Sequence, residues 1–132
     1  MKTFIKLAAL TVLMAFTACS TSQKSFPVSS VTPAADIKAK KSTDNQNNHT
    51  LEITATNLAE AERLVPPGNN YSVWIVTKEY GVKNVGQLSV KNAQKTTFKT
   101  VTAFDFYEVF ITVEKEGELQ YPEGMEIVRT RL

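Results

Sequence analysis

Cysteine and histidine are nearly absent from this sequence, and neither sign of charge is in surplus. Each shortage closes off a class of protein. Cys19 is the only cysteine in 132 residues, so the chain cannot build a disulfide framework. His49 is the only histidine, and a transition-metal site draws several ligands from Cys and His. No metal and no cofactor is therefore expected. The 15 Lys+Arg nearly balance the 13 Asp+Glu. Two of those cations, Lys2 and Lys6, lie in a segment with the character of an export signal, and without them the two signs are equal. A nucleic-acid-binding domain keeps a strong positive excess, so nucleic acid is not an expected partner. No apolar run reaches the ~20 residues that a membrane-spanning helix needs.

The N-terminus carries an address. Lys2 and Lys6 form a charged start, and Leu7 to Phe16 is an apolar run of about ten residues. The Phe16-Thr17-Ala18-Cys19 end resembles the lipobox of bacterial lipoproteins. That resemblance implies a signal peptide over 1–18, cleavage before Cys19 and a lipid thioether on its sulfur. Each buried methylene adds about 0.8 kcal/mol to membrane affinity and one chain holds only marginally, so two or three chains on Cys19 make a stable anchor. Ser20 after the cysteine, rather than Asp, favours the outer membrane. The absence of acid from Thr21-Ser22-Gln23-Lys24 favours its periplasmic face. Residues 20–35, STSQKSFPVSSVTPAA, are rich in Ser, Thr, Pro and Ala. With so little apolar surface to bury, 19–35 reads as a lipidated cysteine followed by a flexible tether.

From Asp36 to Leu132 the hydrophobic period is two. Leu51, Ile53 and Ala55 alternate with Glu52, Thr54 and Thr56. Tyr71 to Thr77 is apolar at nearly every position, as a central strand covered on both sides should be. Tyr107, Val109, Ile111 and Val113 form the longest alternating run. Further strands are expected over 36–42, 85–90, 96–101 and 127–131, and Leu58 to Leu64 has the pattern of a short helical turn. Turn residues separate these runs, including Asp44 to Asn48, Pro66 to Asn70 and Tyr121 to Gly124. About seven strands predict an all-β, immunoglobulin-like β-sandwich over 36–132, with Trp74 as the plug between the sheets and Phe98, Phe104 and Phe110 around it.

Two stretches resemble a known domain. Tyr71-Ser72-Val73-Trp74-Ile75-Val76 followed by Val85-Gly86-Gln87-Leu88, and Val109 to Glu114 followed by Tyr121-Pro122-Glu123-Gly124, resemble the extracytoplasmic domain of anti-sigma-K-type factors. The similarity covers roughly residues 50–132. It implies a sandwich in the cell envelope. It does not carry sigma-factor binding, because no residue here matches the part of those proteins that does that work.

Chemistry is sparse. His49 lies in an Asn-rich turn and reads as an exposed loop residue rather than a catalytic one. Glu114, Glu116, Glu118, Glu123 and Glu126 lack the loop spacing that converges oxygens on calcium, and they read as a solvated edge hairpin. Lys91, Lys95 and Lys99 read as a wet face. The expected protein is a non-catalytic envelope lipoprotein that binds an envelope protein partner or plays a structural role, without enzymatic activity. Its interaction surface is expected around Asn69 and Asn70, Phe104 and Phe106, and Tyr121. The alternative is a module that binds a small ligand or carbohydrate on Tyr80, Phe106 or Tyr121. A contiguous exposed aromatic patch lined by polar side chains would favour that alternative.

Overall fold

Alternation along a chain gives a strand one face to bury, and an unbroken apolar run gives it two. Eight strands of both kinds, with one polar edge strand among them, stack in the described residues. The computed structural model describes residues 20–91 and 94–132. These form β1 (Ser20–Ser25), β2 (Asp36–Thr43), β3 (His49–Thr56), β4 (Asn70–Thr77), β5 (Val82–Leu88), β6 (Thr96–Thr102), β7 (Phe106–Glu114) and β8 (Met125–Arg131). One 3-10 turn at Ala61–Arg63 occupies the expected helical stretch. The signal peptide over 1–18 and the lipidation position Cys19 lie outside the described residues.

The strands make two antiparallel sheets, β1-β2-β3-β6 and β5-β4-β7-β8. The chain crosses between them after β3, after β5 and after β6, which is Greek-key wiring of the immunoglobulin type. The facing surfaces interdigitate as one core. Ile37, Ala39, Leu51, Ile53 and Ala55 come from the first sheet, and Tyr71, Val73, Ile75, Val109, Ile111 and Val113 from the second. Leu58, Ala61 and Leu64 close one end. The Tyr71 hydroxyl donates to the carbonyl of Ala59 at 2.6 Å, and burial pushes its pKa up to about 12.

Two expectations need correction. The first is the tether. Residues 20–25 pair in register with β2, from Ser20 opposite Thr43 to Ser25 opposite Lys38, and make an eighth strand. Phe26 then enters the core, and its N–H donates to Ile37 at 2.8 Å. Ser29 and Thr32 are buried as well. A Ser/Thr-rich segment can hold such a position because an edge strand is stabilised by main-chain ladder bonds and one aromatic anchor.

The second correction concerns Trp74. It is fully buried, yet it points away from the inter-sheet core that its neighbours Val73 and Ile75 enter. Its ring stacks on Phe110 across the strand pair, with centroids 6.1 Å apart and planes inclined by 13°. The guanidinium of Arg129 lies 4.1 Å from the centre of the Phe110 ring. Phe98 packs against the core instead, beside Gly86, where a Cβ would come within 2.7 Å of the Phe98 ring. With φ near +142°, Gly86 also takes a backbone conformation that suits glycine. Phe104 is exposed.

Candidate functional site

The middle of the outer face of the β5-β4-β7-β8 sheet, on β4 and β7, is shielded from solvent. Ser72, Trp74, Phe110, Thr112 and Glu114 all lie there with at most 3% exposure. The segment 115–124 between β7 and β8 folds back toward them. Asn84 Nδ2 donates to the Leu119 carbonyl at 3.0 Å, and the Glu123 N–H donates to Glu114 Oε1 at 3.2 Å. Gly124 sits so close to the Val113 carbonyl that a side chain there would collide with it. Beneath the loop runs a directed chain of hydrogen bonds. Trp74 Nε1 donates to Thr112 Oγ1 at 2.8 Å, and the Thr112 hydroxyl donates onward to Glu114 Oε1 at 2.6 Å. Glu114 is therefore not part of a solvated hairpin edge. It is a buried acceptor that holds the loop, while Glu116, Glu118, Glu123 and Glu126 are exposed.

The folded-back loop and the edge strand β5 enclose a cleft of about 690 Å³. Tyr80, Lys83, Asn84, Gln87, Gln120 and Tyr121 line it, together with Glu118 and Leu119. Tyr80 is 61% exposed and Tyr121 is 71% exposed, so both rings are available to a ligand. Tyr80 also packs on Phe104 with centroids 5.3 Å apart, and Lys83 Nζ lies 5.6 Å from that ring. Aromatic faces beside amide side chains can bind apolar CH groups and hydrogen-bond polar ones at once. Lys83 and Glu118 are the charged side chains of the lining and cancel, so the cleft suits a neutral ligand. A second cleft of about 450 Å³ lies between Pro66-Pro67-Gly68 and the Glu114–Glu116 turn, with Glu123 and Met125 at its side.

The residues expected to form an interaction surface separate into three environments. Asn69 Nδ2 donates to the Lys115 carbonyl at 2.9 Å and its N–H to the Glu114 carbonyl at 2.8 Å, so it braces the loop. Asn70 begins β4 opposite Glu114 and is half-buried. Phe106 is 1% exposed and belongs to the core, which removes it from any ligand platform. Phe104 and Tyr121 are exposed, and of the two Tyr121 reaches the larger cleft. Nothing in the sequence marks Asn84, Gln87 and Gln120 as cleft residues rather than ordinary surface amides.

His49 is buried, not a residue of an open loop. Its Nδ1 lies 2.9 Å from Thr43 Oγ1, and its Nε2 is 4.0 Å from Asp105 Oδ1. That looks superficially like a hydroxyl, imidazole and acid in sequence. However, Asp105 Oδ1 is held by Lys41 Nζ at 2.7 Å, and the imidazole edge packs on Phe106 with centroids 6.3 Å apart. The Lys41 hydrogen bond keeps the Asp105 carboxyl below its ordinary pKa. Neither cleft contains these groups, so the arrangement closes one end of the sandwich. Among the described residues, no three His, Cys, Asp or Glu side chains are placed to hold a metal ion. Among them, too, no helix is long and apolar enough to cross a membrane. Comparison of the chain with protein-family models, with curated proteins and with solved structures finds no match.

Proposed function

We propose that this chain is a non-catalytic lipoprotein of the bacterial envelope, anchored through Cys19, whose sandwich binds a neutral envelope component in the cleft between β5 and the 115–124 loop. The anchor rests on the lipobox-like Phe16 to Cys19 sequence, while Ser20 favours the outer membrane and the acid-free Thr21 to Lys24 its periplasmic face. The observation that carries the binding reading is the pair of exposed tyrosines, Tyr80 and Tyr121, facing one amide-lined cleft. Buried rings would have favoured a purely structural role. Instead an exposed aromatic group lined by polar side chains supports the ligand-binding alternative, with Tyr80 and Tyr121 kept and Phe106 removed. The resemblance of residues 50–132 to anti-sigma-K-type extracytoplasmic domains agrees with an envelope sandwich and adds no ligand.

A photo-crosslinking residue placed at Gln120 in the full chain tests the reading in intact cells. It should capture a discrete envelope component, and Tyr80→Ala together with Tyr121→Ala should abolish the capture. Capture no stronger than from exposed Val28, or capture unaffected by loss of both tyrosines, would overturn it.

A further inference from the structure

Strand pairing fixes which end of the sandwich lies nearest Cys19. Ser20, the first residue of β1, stands opposite Thr43 at the end of β2, and Thr43 stands opposite His49 at the start of β3. His49 in turn faces Thr102 at the end of β6. In the other sheet Thr77 faces Phe106 at the start of β7. Lys41 ties the two sheets together there, since its Nζ reaches both Asp105 and the Phe106 carbonyl. The 44–48 turn, the 78–81 turn and the 103–105 loop therefore form one end of the domain. The 26–35, 57–69 and 115–124 segments leave from the other. One residue spans at most about 3.3–3.6 Å, so the Cys19 sulfur is a single residue away from the first end.

We infer that lipidated Cys19 seats this end of the sandwich directly on the bilayer, with the Tyr80–Phe104 pair at the membrane–water boundary. The inference rests on the anchor reading above. A tether of about 15 residues would let the domain sample every orientation at a distance, but here that length is spent on β1 and on the segment that buries Phe26. The exposed groups at this end suit the interface. Tyr80 packs on Phe104, and Lys83 lies beside the Phe104 ring, a combination of amphipathic ring and snorkelling cation that favours the headgroup level. Lys78 is 69% exposed on the same turn, although its ammonium stands 3.8 Å from Asp105. The acids Asp44, Glu79 and Asp105 offset the lysines, so attraction to anionic lipid is not the cause. Covalent geometry and the aromatic pair are. The lining of the cleft starts at Tyr80 at this end and runs along β5 to Gln87, so this part of the cleft would lie close to the membrane surface.

Cys19 is the sole cysteine, so a lipidated chain has no free thiol and one introduced cysteine is labelled uniquely. The full chain bearing Asn45→Cys or Gln46→Cys at the near end, or Val65→Cys at the far end, is labelled with an environment-sensitive fluorophore. Each is reconstituted in phosphatidylethanolamine–phosphatidylglycerol vesicles containing nitroxide lipid. Quenching at Asn45→Cys and Gln46→Cys should exceed that at Val65→Cys several-fold. A Gly/Ser insert of about 15 residues between Cys19 and Ser20 should erase the difference while the chain stays in the membrane fraction. Equal quenching at both ends of the native chain, or a difference that survives the insert, would overturn the inference and leave the anchor standing. A chain absent from the membrane fraction would overturn both.

Discussion

Replacing Thr112 with Val keeps the outline of a buried side chain and removes one oxygen. That oxygen serves two partners, because it accepts from Trp74 Nε1 and donates to Glu114 Oε1. Thr112 is 1% exposed, Glu114 2% and Trp74 fully buried, so water does not readily replace what is lost. A buried indole N–H without an acceptor costs about 1–3 kcal/mol, and a hydrogen bond to a charged group contributes about 1.5–3 kcal/mol. The two losses share one atom and do not add fully, which puts Thr112→Val at about 3 kcal/mol. That is a large part of the ~5–15 kcal/mol that stabilises an ordinary domain. Trp74 is the only tryptophan and reports directly on this site. Urea unfolding followed by its fluorescence should show a lower midpoint with an unchanged slope. Thr112→Ser keeps the hydroxyl and should recover most of the loss. A Thr112→Val protein within about 0.5 kcal/mol of the wild type would refute the claim that this relay holds the loop.

Ser72 offers the contrast on the same face. Its hydroxyl is fully buried with no hydrogen-bond partner, so Ser72→Ala should be neutral or stabilising in the same titration. Phe26→Ala should destabilise the domain by about 3 kcal/mol, since the ring is core; a freely moving tether would show no change. Lys41 depresses the folded pKa of Asp105, so as pH falls the unfolded chain takes up this proton first. Stability from the pair is present above about pH 4 and is lost as pH falls through the folded value. Melting temperature against pH should therefore fall less steeply at acid pH in Asp105→Asn than in the wild type, and parallel profiles would contradict the assignment.

Much of the fold could be read from periodicity because β3 and β7 bury alternate residues against the other sheet. The unbroken apolar run of β4 correctly indicated cover on both sides. It could not indicate which side faced the core, because Val73 and Ile75 are as apolar as Trp74. The second cover is the 115–124 loop, whose one aliphatic residue is Leu119. Its hold comes from backbone and side-chain hydrogen bonds at Asn69, Asn84 and Glu114, which leave no hydrophobic pattern. The same blindness hid β1, an edge strand made of polar residues. The Asn-rich stretch before His49 signals an exposed turn, but β3 begins at His49 and buries it, a boundary that carries no hydrophobic mark in the sequence. The cleft was legible only as separate tyrosines, because folding alone brings Tyr80 and Tyr121 together from 41 positions apart.

The proposed anchor is lipid on Cys19, which would hold the sandwich to the membrane with no spacer between. The most direct measurement is the mass of the N-terminal tryptic peptide, Cys19 to Lys24, taken from the membrane fraction of cells expressing the full chain. Cleavage before Cys19 with a diacylglyceryl thioether on its sulfur is the predicted result. An unmodified Cys19, or an N-terminus elsewhere in a protein that is fully soluble, would contradict it.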